Sequence, residues 1–536
     1  MLGKILTVFV MANNPSIFND VIGPVMRGPS SSHCAASLRI GRICRDLMRN
    51  EFTDIFITFD PNGSLATTHE SQGSDMGLFG GFLGWEAYDD RLVKAVDEIK
   101  ASRINVTIDI KNIKASHPNT YKLTLKNTKE QHEVTALSVG GGMIDIIEID
   151  GNSVSMEGDY FEILVYCSKE GNIPDFIEKF IPYEFVKYFD ASRKFFQIKS
   201  TQFPTNDVVQ MLSELEEVFD VKLISPVLPV LSRNTVKIPF QNCEEMLGYN
   251  AGKNLTLWEL AVHYESARGN ISHEEVIQKM EAIVAVMESS IQSGLKGTAF
   301  KDRILGAQSL EFKKKLASKS LLEGEMINTI IMFVSSMMEV KSSMGVIVAA
   351  PTAGSCGALP GAVIGAASIM KLSKEETVKA MLAASIIGVF IAKHATFAAE
   401  VGGCQAECGS GAGMAAAALV YMANGTLKQS LSAASLALQN SLGMICDPIA
   451  NRVEAPCLGK NVMAATNALS CANMALANYD HLIPLDEVIE TMDKVGKAID
   501  AELRCTALGG LSITKTAKKI EAKLGETTTT MAFKSC

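Results

Sequence analysis

The sequence has no excess of positive charge. Its 50 Lys and Arg residues stand against 59 Asp and Glu residues, which gives a formal net charge of −9. No stripe of Lys and Arg with interleaved aromatic residues occurs in it either. Because a nucleic-acid surface has to neutralise phosphates with such residues, we expect no nucleic-acid partner.

Closely spaced cysteine pairs are also lacking. The twelve cysteines are spread over 536 residues without a CxxC pair, and the nearest couple is Cys404 and Cys408. This spacing does not fit the dense disulfide framework of a small secreted scaffold, and it gives little support to a structural zinc site. We therefore expect a reducing compartment, the cytoplasm.

Aromatic residues are scarce where the uncharged runs are longest. Residues 342–370 and 408–427 carry no charged side chain, and both runs are long enough to span a bilayer. They consist largely of Ala, Gly and Ser, however, and the chain from residue 251 onward has one Trp and three Tyr. Because these residues cannot form an aromatic belt, we expect no membrane insertion.

What the sequence does contain is a change of pattern along the chain. Up to residue 150, helical spacing alternates with strand-like runs. The next segment predicts the order β-α-β-β-α-β, which is the ferredoxin-like arrangement. Its strands are expected at 161–167, 186–189, 195–198 and 221–224, and its helices at 173–180 and 207–219. Beyond residue 239 the strand patterns disappear, and amphipathic helices give way to helices of small residues.

These patterns predict a multidomain α+β protein. We expect an α/β domain at 12–152, a ferredoxin-like domain at 158–230, an all-α helical domain at 245–515 and a C-terminal tail at 516–536. A chain of this length has room for several domains of ordinary size.

Three segments of the helical half combine Cys with Gly and polar residues. They are APTAGSCGALPG (350–361), EVGGCQAECGSGAG (400–413) and GMICDPIANRVEAPC (443–457). Thiolates bind zinc, Cu(I) or iron–sulfur clusters. A free Cys also packs as a small hydrophobic residue, so the spacing alone leaves a metal site and a thiol-lined core equally open.

A polar segment, RGPSSSHCAASLRIGR (27–42), places three serines and His33 at the start of a helix. Unpaired N–H groups at a helix N-terminus attract anions, and hydroxyls add donors, so this segment would suit a carboxylate. The alternative is that Ser30 or Ser31 is an N-cap and His33 a side chain with ordinary hydrogen bonds.

Five motifs occur in order along the chain: GPSSSH, SVGGG, AAPTAGSCG, GCQAE and CDPIANRVEAPC. Together they resemble the motifs of the bacterial iron–sulfur L-serine dehydratases, and the match runs nearly end to end. The β and α parts that are separate chains in some members are here in one polypeptide. The middle segment is similar to the ACT-like domain of some members.

The resemblance implies a lyase that converts L-serine to pyruvate and ammonia with a [4Fe–4S] cluster. It implies that Cys404, Cys446 and Cys457 bind the cluster and that one iron is left for the substrate, so that the cluster acts as a Lewis acid. It also leaves Cys536, the last residue, as a candidate fourth ligand. The alternatives for this position are Cys505, or a free Cys536 on a disordered tail.

The resemblance also implies which side chains meet the substrate. From the α/β domain these are Ser30, Ser31, Ser32 and His33, and from the helical domain they are Thr352, Gly354 and Ser355. Ser31, Ser32 and His33 would be catalytic, and the others would bind substrate. The ordinary pKa of His suits proton transfer at neutral pH, but His33 as the base and His33 as an orienting group stay equally open. We expect a homodimer.

One position departs from the family pattern. Gln72, in THESQGSD (68–75), stands where many relatives carry a His, and an amide cannot transfer protons as an imidazole does. Other substrates therefore remain open: threonine or another small β-hydroxy amino acid, or a hydroxy acid as in aconitase-like hydratases. A non-enzymatic iron–sulfur sensor of amino acids or of redox state is the third alternative.

Overall fold

The computed structural model describes residues 14–191, 193–233, 237–300 and 303–532. Its strands are β1 (Val25–Arg27), β2 (Asp54–Phe59), β3 (Asn105–Ile110), β4 (Thr120–Lys126), β5 (Gln131–Gly140), β6 (Met143–Ile149), β7 (Asn152–Met156), β8 (Phe161–Cys167), β9 (Phe185–Phe189), β10 (Phe195–Ser200), β11 (Val218–Ile224) and β12 (Val346–Val348).

The helices fall into two groups along the chain. Before residue 240 they are α1 (Ala36–Leu47), α2 (Leu65–Thr68), α3 (Ser74–Phe82), α4 (Ala95–Ala101), α5 (Ile173–Phe180) and α6 (Asn206–Ser213). After it they are α7 (Cys243–Asn250), α8 (Leu257–Gly269), α9 (His273–Gly294), α10 (Ser309–Ala317), α11 (Glu325–Ser342), α12 (Ala358–Met370), α13 (Lys374–His394), α14 (Ala399–Gly402), α15 (Ser410–Met422), α16 (Leu427–Gln439), α17 (Cys457–Leu476), α18 (Leu485–Ala498) and α19 (Lys515–Ala532).

The N-terminal part is built on a six-stranded sheet in the order β3-β2-β4-β5-β6-β7. Strands β2 and β3 are parallel, and the other neighbours are antiparallel. Alternation in β2 buries Ile55, Ile57 and Phe59, because every second side chain of a strand points to the same face. The mixture of helices and strands predicted for this part is confirmed.

The central part forms an antiparallel sheet in the order β11-β8-β10-β9, with α5 and α6 between its strands along the chain. The predicted order β-α-β-β-α-β is therefore confirmed, and β8 and α5 have the predicted bounds. The further assignment of this part as ACT-like stays a prediction.

The C-terminal part is helical, as predicted, and its centre is α15. This helix packs against α12, α13, α16 and α17, and Ala415 to Ala418 are fully buried on it. Small residues allow close packing here: a Cβ on Gly361 would lie 2.8 Å from the backbone nitrogen of Val334 on α11. Within the described ranges, no helix is both long and apolar enough to cross a membrane.

One prediction for the C-terminal half was wrong. Strands do not end at residue 239, because β12 pairs with β1; a strand of three residues is too short to show the period of two by which strands are recognised. The segment predicted as a C-terminal tail is helical as far as residue 532, because it belongs to α19, where Ala517, Ile520 and Leu524 recur at helical spacing and Ala517 is buried. Cys536 lies outside the described residues.

A two-stranded ribbon joins the N-terminal and C-terminal parts. Strands β1 and β12 are antiparallel, with Val25 opposite Val348. The segment that follows β1 is GPSSSH, and the segment that follows β12 is AAPTAGSCG. The ribbon therefore brings together two motifs that are more than 300 residues apart in the sequence.

Candidate active site

A narrow, partly enclosed cavity lies between the N-terminal and C-terminal parts. Its wall is formed by Pro29, Ser30, Ser31, Ser32, Gln72, Gly141, Thr352, Gly354, Phe397, Ala398, Ala399, Glu400, Glu407, Cys446, Pro448, Val453, Cys457 and Cys505. All five motifs singled out in the sequence contribute to the wall.

The three serines reach the cavity because the chain makes a π-helical turn, Ser31–Ala35, before α1 begins. Such turns are frequent at functional sites. Ser31 Oγ accepts a hydrogen bond from the backbone nitrogen of Ala353 (3.3 Å), and the carbonyl oxygen of Ser32 accepts one from Ser138 Oγ (2.6 Å). The serine turn is thus tied both to the loop after β12 and to the SVGGG motif.

His33 lies behind the serines and is not part of the cavity wall. Its Nδ1 is 3.0 Å from Ser30 Oγ, and its Nε2 is 3.0 Å from Thr68 Oγ1. Thr68 already donates its hydroxyl hydrogen to the carbonyl oxygen of Ser64 (2.6 Å). His33 Nε2 therefore donates to Thr68, and Nδ1 accepts from the Ser30 hydroxyl. Burial lowers the pKa of His33 to about 4, so the ring is neutral at neutral pH.

The loop after β12 brings Thr352 and Gly354 to the cavity wall, whereas Ser355 lies behind them. Thr352 Oγ1 donates to Glu407 Oε1 (2.6 Å), and Ser355 Oγ is 3.2 Å from Thr352 Oγ1. A Cβ on Gly354 would be 2.8 Å from both carboxylate oxygens of Glu407. The glycine is therefore needed for the close approach of this loop to Glu407.

Asn461, on α17, fixes the same loop from the other side. Its Nδ2 donates to the carbonyl oxygens of Gly354 (2.8 Å) and Cys457 (2.9 Å). Its Oδ1 accepts from the backbone nitrogens of Gly357 (3.2 Å) and Ala358 (3.0 Å). This role was not predicted, because an Asn within a helix has no distinctive spacing.

Two of the three predicted cluster ligands lie close together. The sulfur atoms of Cys404 and Cys446 and a carboxylate oxygen of Glu407 are all within 4.8 Å of one another. Cys404 directly precedes a second π-helical turn, Gln405–Gly409, which leads into α15. Cys446 lies in the loop after α16.

The third predicted ligand, Cys457, lines the same cavity as Cys446. It is the first residue of α17. The positive end of a helix stabilises a thiolate, and this position therefore suits a metal ligand. Without a metal, burial raises the pKa of the Cys457 thiol.

A third cysteine of the cavity wall, Cys505, was only one of three alternatives for the fourth ligand. Its backbone nitrogen donates to the carbonyl oxygen of Cys446 (2.9 Å), and its side chain packs against the side chains of Cys404 and Cys446. Cys505 has a φ of 62°, in the left-handed region. A residue other than Gly is uncommon there, and such strain is often found at functional sites.

Two lysines, one partly buried and one fully buried, support the cysteine loops. Lys460 Nζ donates to the carbonyl oxygen of Ile445 and to Asp447 Oδ1, both at 2.6 Å, and it is 3.8 Å from the sulfur of Cys404. Lys341, which is fully buried, donates to the carbonyl oxygen of Val453. Neither residue was predicted, since a lysine in a helical pattern usually indicates a solvent-exposed face.

Glu400 and Glu407 are the carboxylates of the cavity wall. Burial raises the pKa of Glu400, and the neighbouring Ser32 side chain lowers it by a smaller amount. Burial, together with the nearby negative charge of Glu400, raises the pKa of Glu407 to about 7. The sequence motif contained both residues, but nothing in their spacing distinguished them from solvent-exposed acidic residues.

Gln72, where the sequence analysis predicted a departure from the family pattern, also lines the cavity. Its Nε2 donates to the carbonyl oxygen of Asn451 in the C-terminal part (2.9 Å). An amide can make this contact without taking part in proton transfer.

Comparison with known proteins gives consistent results for both parts. The family described as serine dehydratase alpha chain matches residues 252–512. The probable L-serine dehydratase alpha chain of Bacillus subtilis is 36% identical over 285 residues, which are 53% of this chain and 95% of that protein. The alpha chain of L-serine dehydratase from Peptoniphilus asaccharolyticus is 39% identical over 271 residues, or 50% of this chain and 92% of that one. The probable L-serine dehydratase beta chain of Bacillus subtilis is 39% identical over 150 residues, or 28% of this chain and 67% of that one.

Proposed function

Because the chain belongs to the L-serine dehydratase family, with α and β parts joined in one polypeptide, we propose that it converts L-serine to pyruvate and ammonia in the cavity between these parts. The observation that carries the proposal is the composition of the cavity wall. Thiols from the helical part face the serine turn of the N-terminal part across one space. Soft metal ligands and anion-binding hydroxyls are thereby combined in one site.

A [4Fe–4S] cluster is the cofactor that the proposal requires, and the donor set fits it. Cys404, Cys446 and Cys457 would hold the cluster; thiolates are the usual protein ligands of iron–sulfur clusters. Glu407 and Cys505 lie beside them as further donors. When bound, the cluster would supply a Lewis acid for the carboxylate and the hydroxyl of the substrate.

The serine turn would hold the substrate carboxylate through hydroxyl donors. Of these, Ser30 has a special position, because its hydroxyl hydrogen is directed to Nδ1 of a neutral His33. A proton taken from the substrate Cα by Ser30 Oγ can pass to this nitrogen. We therefore assign His33 a role through Ser30, as a proton acceptor that does not itself contact substrate.

Thr352 and Gly354 would bound the substrate on the opposite side, with Thr352 oriented by Glu407 and Ser355. Removal of the α-proton and loss of the β-hydroxyl give 2-aminoacrylate and water. The enamine tautomerises to the imine, and water hydrolyses the imine to pyruvate and ammonia.

The test is an anaerobic preparation of the full chain. We expect about four irons per chain, pyruvate and ammonia in equal amounts from L-serine, and no requirement for pyridoxal phosphate. L-Threonine and D-glycerate, assayed in parallel, separate the proposed reaction from the other dehydrations. A colourless, iron-free protein with full activity would refute the cluster, and a protein with iron but without ammonia release from serine would refute the reaction. A homodimer stays a prediction, which light scattering of the same preparation would check.

A further inference from the structure

The cavity wall has an unbalanced set of charges. Among the described residues that form it, Glu400 and Glu407 are the carboxylates, and no Lys, Arg or His is present. The substrate proposed above has three polar groups: a carboxylate, a hydroxyl and an ammonium group. The described wall therefore has no cationic side chain to pair with the substrate carboxylate, but it has two acidic side chains.

Within the described parts of the chain, neither glutamate forms an ion pair with a cationic side chain. The two nearby lysines are engaged elsewhere: Lys341 donates to the carbonyl oxygen of Val453, and Lys460 forms an ion pair with Asp447. A carboxylate enclosed by protein without a cation is costly, and buried charges are normally paired. A cation that enters the cavity would remove this cost.

The two glutamates differ in their surroundings. Glu407 is held by Thr352, and its carboxylate lies within 4.8 Å of the sulfur atoms of Cys404 and Cys446, on the thiol side of the cavity. Glu400 lies in the wall with Ser32, on the side of the serine turn, and the Ser32 side chain influences its pKa. Of the three polar groups of the substrate, the ammonium group is the one that a Lewis acid does not bind.

We propose that Glu400 binds the ammonium group of the substrate and that this ion pair makes the site selective for β-hydroxy amino acids over β-hydroxy acids. The inference rests on the proposed function and extends it to the substrate class. It requires one orientation: the ammonium group of serine lies towards Glu400, and its carboxylate and hydroxyl lie towards the thiols and the serine hydroxyls. A charge-assisted hydrogen bond of this kind is about twice as strong as a neutral one.

The test uses the anaerobic holoenzyme and two ligands that cannot be dehydrated. L-Alanine and propionate differ by the ammonium group, and both lack a β-hydroxyl. Their dissociation constants are measured by calorimetry for the wild type, for E400Q and for E375Q, an exposed charge-neutralising control on α13. We expect the wild type and E375Q to bind alanine more tightly than propionate. In E400Q the ratio of the propionate to the alanine dissociation constant should fall at least about tenfold. For L-serine, E400Q should raise KM more than it lowers kcat.

The outcomes separate the inference from the proposed function. If wild-type protein releases ammonia from serine and E400Q keeps the wild-type ratio of alanine to propionate affinities, the ammonium inference is wrong and the proposed function stands. If wild-type protein releases no ammonia, the proposed function itself fails. Iron content and thermal unfolding of E400Q show whether it retains the cluster. If E400Q loses the cluster, E400D is measured instead, because it keeps the negative charge but places it farther from the substrate. Weaker alanine binding with unchanged propionate binding supports the inference. An equal loss of affinity for both ligands overturns it.

Discussion

Cys446 and Cys505 are joined by backbone hydrogen bonds, and their side chains pack in one cluster. The backbone nitrogen of Cys505 donates to the carbonyl oxygen of Cys446, and the backbone nitrogen of Cys446 donates to the carbonyl oxygen of Leu503. The segment 502–512 is thereby fixed against the loop that carries the predicted ligand Cys446. Asp447 strengthens this contact, because its Oδ2 accepts from the backbone nitrogen of Leu511 (2.9 Å).

This arrangement predicts different results for neighbouring cysteines. Cys446→Ser should lose most of the iron, since an alcohol is a much poorer ligand than a thiolate for a cluster iron. Cys505→Ser should keep most of the iron, because three thiols remain. Cys471→Ser, on α17, is the matched buried control and should keep all of it. Iron and sulfide analysis of anaerobic protein checks the order; full iron content in Cys446→Ser would contradict the ligand assignment.

His33 should make the stability of the protein depend on pH. Burial lowers its pKa from 6.5 to about 4 in the folded state. The unfolded chain therefore binds a proton below pH 6.5 that the folded chain binds only near pH 4. The resulting stabilisation is complete above pH 6.5 and is lost as the pH falls towards 4, with a total on the order of 3 kcal/mol.

A neutral residue at this position removes that dependence. We expect the difference in thermal unfolding midpoint between wild type and His33→Asn to shrink steadily from pH 7 to pH 4.5. Differential scanning calorimetry at matched ionic strength measures it. Parallel curves for the two proteins over this range would show that His33 is not held neutral by burial.

Asn461 is predicted to affect both stability and kcat, because it holds the loop that carries Thr352. Replacement by Ala leaves the backbone nitrogens of Gly357 and Ala358 without their acceptor, at a cost of about 3 kcal/mol. The loop that carries Thr352 should then lose its position, and kcat for serine should fall at least about tenfold. Asn473→Ala, on the exposed face of the same helix, is the control and should change neither stability nor kcat. Equal effects of the two substitutions would mean that only the helix is affected.

Gln72 is predicted to bridge the two parts of the chain without moving protons. Gln72→Ala removes the hydrogen bond to the carbonyl oxygen of Asn451 and should cost about 1 kcal/mol of stability. KM for serine should rise several-fold, while kcat and its pH profile should stay close to those of the wild type. A loss of kcat by orders of magnitude, or a shifted pH profile, would instead assign Gln72 a part in the chemistry.

The sequence patterns predicted some elements to the residue: β8 and α5 have the bounds expected from the runs at 161–167 and 173–180. Strand β12 was missed because three residues carry no period, and α19 lies in a segment that was predicted only as a C-terminal tail.

The site residues that lie within sequence motifs were predicted. The residues that belong to no motif and reach the site only through the fold were not. Ser30 to Ser32 and Cys446 reach one cavity, as expected from the motifs that contain them. His33 was expected at the substrate and lies behind Ser30 instead, since the π-helical turn directs its ring into the protein. Lys341 and Asn461 belong to no motif, and their partners are about 100 residues away in the sequence.

The ribbon of β1 and β12 has a consequence for how the protein can be divided. The cavity is complete only when the two parts are together. Two contacts join the parts independently of the connecting segment between residues 230 and 245: the backbone pairing of β1 with β12, and the hydrogen bond from Ser16 Oγ to Glu265 Oε1 (2.5 Å). Two polypeptides divided within that segment should therefore complement each other in trans, and each alone should be inactive. A gene fusion or fission at this point would leave the chemistry of the site unchanged.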